Sequence, residues 1–318
     1  MEQEWPLRMS CGELEDITMD IKLRATLPGH QNPIFCVEKG YDPNTFFTGG
    51  NDKGVVEWDI EKNSFKRILC AVTSSVYALK LIPGTAILAI ALREGKLLFV
   101  DVQEQKLVAS LQLGKKAIFA LAFVKQKNEL LAVGEEGRLY VIDLATYKGI
   151  YELQLSQTTV RSIAVDEKSN RIALGDKDGW VYLLDSEDFH VIERLQLHSL
   201  PTTSLAFLQN RLLSGGRDAQ LIISDVSQLS NNFSFVPHLF TVYGIYPHPV
   251  EPLFATVSRD KSLKFWSNAD FALLKNMSRD KMQDGHHLSV NAGVWSDDGR
   301  YFFSVSDDKL VKIWEFQQ

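Results

Sequence analysis

The chain has little of what marks several common classes of protein. It has only three cysteines among 318 residues, Cys11, Cys36 and Cys70, and their spacing matches no paired metal-ligand pattern. An odd number of cysteines without a disulfide framework favours a reducing compartment. No run approaches the roughly 18 apolar residues of a membrane helix, and the first residues lack the basic and apolar regions of a secretory signal. We therefore expect a cytoplasmic protein that does not enter a membrane.

A strong positive charge is also missing. The formal net charge is -6 at pH 7, which argues against non-specific nucleic-acid binding. The charged residues are spread evenly, so no polybasic patch is available for a membrane surface. The composition therefore predicts neither a nucleic-acid partner nor a membrane partner.

What the chain does have is a short pattern that returns at a nearly constant interval. Each copy contains a turn ending in an acidic residue, alternating apolar residues and a Trp-Asp-like pair. The copies end at Asp59, Asp101, Asp143, Asp185, Asp225, Ser267 and Glu315, at intervals of 42, 42, 42, 40, 42 and 48 residues. A period of roughly 40–45 residues with four short strands per copy is typical of β-propeller blades. The pattern predicts an all-β ring of seven four-stranded antiparallel blades, with a weak helical pattern only at 272–281.

The two ends of the repeat array predict how the ring closes. After Trp314 only four residues remain, too few for an outer strand, whereas residues 17–27 alternate apolar and polar side chains at Ile17, Met19, Ile21 and Leu23. An N-terminal strand that completes the last blade would remove exposed strand edges. We expect an N-terminal extension at 1–15 and one monomeric propeller at 16–318.

Four residue types recur within the repeats at fixed separations. Histidine precedes tryptophan by 28 residues in the first, sixth and seventh copies, with a hydroxyl residue and an aspartate between them. The three complete sets are His30, Thr48, Asp52 and Trp58; His238, Thr256, Asp260 and Trp266; and His286, Ser304, Asp308 and Trp314. The fifth copy keeps His198, Ser214 and Asp218 but has Ser224 in place of tryptophan. The second, third and fourth copies lack both histidine and tryptophan, and we expect them to depend on apolar packing.

On these residues the chain resembles the WD40 repeat family over nearly its whole length, as a stand-alone seven-bladed propeller similar to the compact bacterial members. The resemblance implies that each set forms a buried network from aspartate to histidine to hydroxyl to indole, in which every buried polar group has a partner. A His–Ser–Asp set can also indicate a hydrolase triad, but repetition at blade spacing favours the structural role. Metal-ligand spacings and glycine-rich phosphate loops are missing. We expect no enzyme, no metal and no cofactor.

The resemblance also implies which residues surround the upper mouth of the central channel. One residue near the start of each innermost strand takes this position: Phe35, Tyr77, Phe119, Arg161, Thr203, Tyr243 and Asn291. Four of the seven are aromatic, so a mouth with an added arginine could hold a cationic or aromatic side chain of a partner. Alternatively, the bulky side chains only plug the channel.

A second set of upper-face residues stands directly before the acidic residue of each turn. Its members are Asn51, Arg93, Glu135, Lys177, Arg217, Arg259 and Asp307. Four are basic, which favours an acidic peptide or a carboxylate terminus, unless they are solvated charges paired with neighbours such as Glu135. The loop at 277–284 belongs to a connection six residues longer than the others and should lie on this face, as a functional loop or as a tolerated insertion.

Two classes of function follow. The resemblance implies a non-enzymatic scaffold that binds a partner peptide or protein, possibly acidic, over the upper face and channel mouth. The alternative is a propeller enzyme of the lyase or hydrolase type with a small-molecule site at the mouth. Such an enzyme would need convergent histidine, glutamate or aspartate residues there.

Overall fold

A computed structural model of the chain describes residues 20–226, 229, 232–281 and 283–317. The strands form seven four-stranded antiparallel sheets, which confirms the predicted all-β propeller. Within these ranges the one helical element is a 3₁₀ turn at Lys125–Lys127. The same part of the chain contains no helix long and apolar enough to cross a membrane.

Each blade is built from consecutive strands, innermost strand first. Blade one contains β2 (Ile34–Lys39), β3 (Thr45–Gly50), β4 (Gly54–Asp59) and β5 (Ser64–Ala71). Blade two contains β6 (Val76–Leu81), β7 (Ile87–Leu92), β8 (Lys96–Asp101) and β9 (Lys106–Gln112). Blade three contains β10 (Ile118–Val124), β11 (Glu129–Gly134), β12 (Arg138–Asp143) and β13 (Lys148–Gln154).

The next three blades repeat this order. Blade four contains β14 (Val160–Asp166), β15 (Arg171–Asp176), β16 (Trp180–Asp185) and β17 (Val191–Gln196). Blade five contains β18 (Thr202–Leu208), β19 (Arg211–Gly216), β20 (Leu221–Asp225) and the short β21 (Phe233–Phe235). Blade six contains β22 (Val242–Pro247), β23 (Leu253–Ser258), β24 (Leu263–Ser267) and β25 (Leu273–Met277).

Blade seven joins the two ends of the described chain. It contains β26 (Val290–Trp295), β27 (Tyr301–Ser306), β28 (Val311–Gln317) and, as its outer strand, β1 (Asp20–Leu27). β1 pairs with β28 from Asp20 opposite Gln317 to Leu27 opposite Val311. The predicted closure by an N-terminal strand is therefore confirmed. Ile17, Met19 and the predicted boundary between residues 15 and 16 lie outside the described residues.

The weak prediction of a helix at 272–281 is wrong. Residues Leu273–Met277 form β25, which pairs with β24, and Met277 is buried against the neighbouring blade. Cross-strand pairing and burial decide the conformation here, because local propensity is only a weak preference that tertiary packing overrides.

Every blade has the same irregularity in the ladder between its first two strands. The second residue of the innermost strand is skipped, so that Ile34 pairs with Gly50 and Cys36 pairs with Gly49. The skipped residues are Phe35, Tyr77, Phe119, Arg161, Thr203, Tyr243 and Asn291. A β-bulge leaves one residue outside the ladder and re-aims its side chain. The seven residues predicted at the mouth are therefore the seven bulge residues.

The innermost strands of neighbouring blades contact one another all round the ring, including β2 with β26. They therefore line the central channel. Apolar residues of adjacent blades pack between the sheets, as Phe47 of β3 does with Val76 and Leu79 of β6. This continuous packing holds the seven bulges on a rigid ring.

Candidate binding surface at the channel mouth

Three blades contain the complete hydrogen-bonded set of histidine, hydroxyl, aspartate and tryptophan. In blade one, His30 Nδ1 lies 2.6 Å from Asp52 Oδ2, and His30 Nε2 lies 2.8 Å from Thr48 Oγ1, which also accepts the indole N–H of Trp58 at 2.8 Å. Blades six and seven repeat these contacts. In blade six they join His238, Asp260, Thr256 and Trp266. In blade seven they join His286, Asp308, Ser304 and Trp314.

The direction of each bond in these sets follows from the two ends, because an ionised carboxylate can only accept and an indole N–H can only donate. Nδ1 of His286 therefore carries the imidazole proton and donates it to Asp308. The unprotonated Nε2 accepts from the hydroxyl of Ser304, which in turn accepts from the indole of Trp314. Each set therefore holds a neutral histidine in one tautomer. Each set also fixes the turn between the second and third strands to the segment that enters the innermost strand. We call the face that carries these turns and entering segments the upper face.

Blade five keeps only part of the set. His198 lies 3.0 Å from both Asp218 Oδ1 and Ser214 Oγ. Ser224 occupies the tryptophan position, and its buried hydroxyl has no hydrogen-bond partner among the residues that the structure describes. The hydroxyl of Ser214 turns instead toward the carbonyl of Ile222, at 3.5 Å.

The middle blades pack through apolar residues at the tryptophan positions, Val100, Ile142 and Leu184, as expected, and each also has a polar contact at its turn. In blade four, the buried Asp176 accepts from Ser156 Oγ at 2.7 Å and from Tyr182 OH at 3.0 Å. In blade three, Tyr140 OH donates to Glu136 at 2.8 Å. In blade two, the side chain of Thr73 in the entering segment donates to the side chain of Glu94 in the turn.

Burial controls the ionisation of the complete sets. Desolvation lowers the pKa of His30, His238 and His286 from the ordinary value, although the partner aspartate opposes the shift. Burial works against ionised Asp308 as well, but the hydrogen bonds and charge of its partners outweigh it and lower its pKa to about 2. The folded protein therefore favours neutral histidine beside ionised aspartate.

We expect stability to fall as the pH is lowered from 7 to 5. The unfolded chain takes up protons on these histidines near pH 6.5, whereas the folded protein resists protonation until a lower pH, so acid favours unfolding. Asp308 adds a second loss between about pH 4 and 2, by the same linkage. Thermal unfolding measured across this range tests the prediction. His286→Gln should give a smaller slope between pH 7 and 5, and a flat wild-type profile would contradict the assignment.

The mouth residues of four consecutive blades form one continuous stack. The rings of Phe35 and Tyr77 lie 5.3 Å apart and nearly parallel, and the rings of Tyr77 and Phe119 lie 5.1 Å apart. The guanidinium of Arg161 lies 4.9 Å from the centre of the Phe119 ring. Arg161 is exposed and the three aromatic rings are half-buried. The stack therefore presents three partly exposed aromatic rings and one exposed cation at the mouth.

The other three mouth residues make different contacts. Thr203 donates to the carbonyl of Val242 at 2.6 Å, and Asn291 donates to the carbonyl of Ile34 and to Asp307 at 2.8 Å each. Tyr243 is half-buried against the packing between blades six and seven. Thr203 and Asn291 therefore tie neighbouring blades together. Tyr243 lies at the mouth but outside the stack.

The four basic residues before the turns occupy equivalent positions. The backbone N–H of Arg93, Lys177, Arg217 and Arg259 donates to the segment that enters the same blade. Their side chains are exposed, and none of them pairs with a carboxylate within the described ranges. By contrast, five arginines elsewhere lie within 3.3 Å of a carboxylate oxygen: Arg24, Arg67, Arg138, Arg171 and Arg300. The upper face thus presents four basic side chains that form no ion pair within the described ranges.

The long connection before blade seven lies on the upper face, as its sequence position predicts. Met277 belongs to β25, and the turn that follows leads directly into His286. Arg279 Nη1 lies 2.6 Å from His287 Nδ1, which holds this turn against the entering segment. Met282 lies outside the described residues.

On the opposite face a cavity of about 390 Å³ lies at the seam between blades seven and one. Its cations are neutralised, since Arg24 and Arg300 pair with Glu315, and Lys39 pairs with Asp297. Across the described ranges, no cluster of three or more histidine, cysteine, aspartate or glutamate side chains could hold a metal ion. The cations of this cavity are therefore paired, whereas the four basic residues before the upper-face turns are not paired within the described part of the chain.

Sequence reasoning missed one group of upper-face residues. Leu200, Phe240 and Leu288 are exposed apolar side chains in the entering segments of blades five, six and seven. Each stands two residues after the histidine of its blade, and that regular position could have identified them.

Comparison with known proteins agrees with the geometry. The family model described as "WD domain, G-beta repeat" matches residues 21–59, 230–267 and 279–315, the segments that contain the three complete hydrogen-bonded sets. The chain is 33% identical over 128 residues to "Nuclear distribution protein nudF" of Emericella nidulans, covering 34% of this chain and 27% of that protein.

Two further relatives match shorter segments. "Protein HIRA" of Dictyostelium discoideum is 37% identical over 81 residues, which is 23% of this chain and 7% of that protein. "Probable cytosolic iron-sulfur protein assembly protein Ciao1" of Culex quinquefasciatus is 33% identical over 78 residues, covering 24% of this chain and 22% of that protein. The matches thus span 27% or less of each of these three relatives. The chain is therefore a seven-bladed β-propeller that contains WD40 repeats, which the family model matches over three segments.

Proposed function

We propose that this protein is a non-enzymatic interaction scaffold that binds a partner peptide or protein, with acidic character, over the upper face and channel mouth. The observation that carries the proposal is the stack of Phe35, Tyr77, Phe119 and Arg161 at the mouth. The bulges leave these side chains out of the strand ladder. Aromatic residues and arginine are the side chains most enriched at binding hot spots.

The unpaired cations support an acidic partner. Arg93, Lys177, Arg217 and Arg259 surround the mouth on equivalent turns, and a carboxylate that reaches them would gain a charge-assisted hydrogen bond without breaking an existing ion pair. Complementary charge of this kind increases the association rate and the specificity for the partner.

The names of the relatives are consistent with roles in assembly and distribution, since one is an "iron-sulfur protein assembly protein" and another a "nuclear distribution protein". We extend only the binding role to this chain. We also propose that the chain forms a single cytoplasmic ring preceded by an extension at 1–15. An enzyme at the mouth would need acid–base groups, whereas its seven positions hold four aromatic residues, an arginine, a threonine and an asparagine.

An affinity pull-down from native lysate tests the proposal. Wild type and Phe119→Ala/Arg161→Ala would be compared by mass spectrometry, and we expect the double variant to melt almost like wild type while losing at least one bound protein. Tyr151→Ala/Arg138→Ala removes an exposed tyrosine from the outer strand β13 and a half-buried arginine from the adjacent β12, and it is the matched control.

Each result has a distinct meaning. A protein lost only from the mouth variant supports a binding site at the mouth and identifies the partner. An identical set of proteins from all three forms would place the site elsewhere, and no bound protein would favour a small-molecule ligand. If the mouth variant unfolds, Phe119 and Arg161 plug the channel and do not form a binding surface.

A further inference from the structure

The apolar residues on the upper face of blades five to seven are unusually exposed. Leu200 is 45% exposed, Leu239 81%, Phe240 56% and Leu288 47%. All four lie in the segments that enter the innermost strands, directly after the histidines of these blades. Clustered exposed apolar side chains commonly mark interaction sites, whereas scattered ones need no explanation.

The position of these residues within the repeat is regular. In every blade one residue stands three positions before the bulge residue, and these equivalent residues are Asn32, Ser74, Lys116, Thr158, Leu200, Phe240 and Leu288. The position is polar in the first four blades and apolar in the last three. The upper face is therefore divided into a polar half, which includes the aromatic stack, and an apolar half. We name the four exposed residues Leu200, Leu239, Phe240 and Leu288 the apolar tips.

The hydrogen-bonded sets hold the apolar tips rigidly. In each of blades five, six and seven, the backbone N–H that follows the histidine donates to the turn aspartate. The donors are Ser199 to Asp218 at 3.0 Å, Leu239 to Asp260 at 3.0 Å and His287 to Asp308 at 2.9 Å. A preorganised apolar surface loses little conformational freedom when a partner binds.

A cation stands beside the tips of blades five and six. The backbone N–H of Arg217 donates to Pro201 O at 2.8 Å, next to Leu200. The backbone N–H of Arg259 donates to Thr241 O at 3.1 Å, and its guanidinium lies 6.0 Å from the Phe240 ring. Because neither side chain pairs with a carboxylate in the described chain, each tip offers an apolar contact together with a free positive charge.

We infer that the apolar tips with Arg217 and Arg259 form a second docking surface, distinct from the aromatic stack at the mouth, for a partner segment in which large apolar side chains are flanked by aspartate or glutamate. The inference rests on the proposed scaffold function and adds the chemical pattern of the ligand. A peptide fits better than an anionic membrane, since the cations stand singly and acidic residues such as Glu135 and Asp307 share the face, on a protein of net charge -6.

An array of immobilised short peptides tests the inference with the full chain as the soluble probe. One set carries two leucine or phenylalanine residues flanked by glutamate, a second set has serine in place of the apolar residues, and a third has glutamine in place of glutamate. We expect binding to the first set only. Leu200→Ser/Phe240→Ser/Leu288→Ser should weaken that binding about tenfold or more, and so should Arg217→Glu/Arg259→Glu.

Two controls separate this surface from other sites. Leu107→Ser/Ile150→Ser/Val191→Ser changes outer-strand residues that are 53%, 54% and 44% exposed, and it should bind the first set as wild type does. Phe119→Ala/Arg161→Ala should also retain this binding, because the aromatic stack lies in the polar half. Thermal unfolding of every variant verifies that it is folded.

Three outcomes would overturn the inference. In the first, wild type and the triple-serine variant bind the peptides equally. In the second, wild type binds no peptide set. In the third, wild type binds no peptides but self-associates, or binds phosphatidylserine vesicles, through the tips. In each case the lysate pull-down with the mouth variant still decides the proposed function independently, so failure of the second surface is distinguishable from failure of the scaffold role.

Discussion

Ile21→Asp should destabilise the protein by about 4 kcal/mol or more, or prevent cooperative folding. Ile21 is one of two buried residues of the closing strand β1 and packs with Trp314, Phe265 and Met277. A carboxylate at this position would be buried without a partner, which is among the most costly single substitutions. Because β1 is the outer strand that joins the two ends of the ring, the loss should affect the whole propeller and not one blade alone.

Urea denaturation followed by circular dichroism measures this effect. Lys22→Asp introduces the same charge at the next residue, where the side chain is exposed, and should cost less than about 1 kcal/mol. Equal losses for the two variants would show that strand charge in general, and not closure of the ring, controls stability at this seam.

Trp314→Ala should destabilise the protein by about 3–5 kcal/mol, because it removes a fully buried indole from blade seven. Trp314→Phe keeps most of the apolar contact but leaves Ser304 without its indole donor, for a smaller loss of about 1–3 kcal/mol. Asp308→Ala should lie in the same range, since His286 and the backbone N–H of His287 lose their acceptor.

A second tryptophan provides the comparison. Trp180 of blade four is only half-buried and lies under the guanidinium of Arg194 at 4.0 Å, so Trp180→Ala should cost about 1 kcal/mol. Equilibrium unfolding of the four variants ranks these contributions. A Trp314→Phe protein as stable as wild type would contradict an energetic role of the indole hydrogen bond. None of the folded variants should lose partner binding selectively.

The sequence predicts the ring because its strongest signals are periodic. The interval between Asp59 and Asp101 and its repetitions define the blades, and the alternation of apolar Ile21 and Leu23 with polar residues identifies the closing strand. Such signals survive because every blade must bury the same faces against its neighbours. The positions of Phe35 and Tyr77 at the mouth follow from the same register.

What the sequence does not predict depends on contacts that cross from one strand to another. Tyr140 and Tyr182 stand at equivalent positions 42 residues apart, yet their bonds to Glu136 and Asp176 depend on where the turn brings the carboxylates. The stacking of Arg161 on Phe119 similarly depends on the rotation between two blades. Pattern and spacing identify which residues are equivalent, but not which partner each one finds.

The binding role of these residues is a separate question from their geometry. The stack at the mouth and the free cations follow from the structure, whereas the identity of the partner depends on a surface complementary to them. The pull-down and the peptide array address that question from two parts of the same face.

The seven bulges have a consequence for how such a protein can diversify. A residue such as Phe35 makes no ladder hydrogen bond, so its replacement leaves the pairing of Ile34 and Cys36 unchanged. Mutations at the bulges can therefore alter the chemistry displayed around the channel while the sheets keep their register, one blade at a time. Thr203 and Asn291 are the positions where this freedom is most restricted, because their side chains bridge adjacent blades. New specificities should consequently arise first among blades one to four, where a duplicated copy of the gene could exchange an aromatic ring or a charge without having to rebuild its fold.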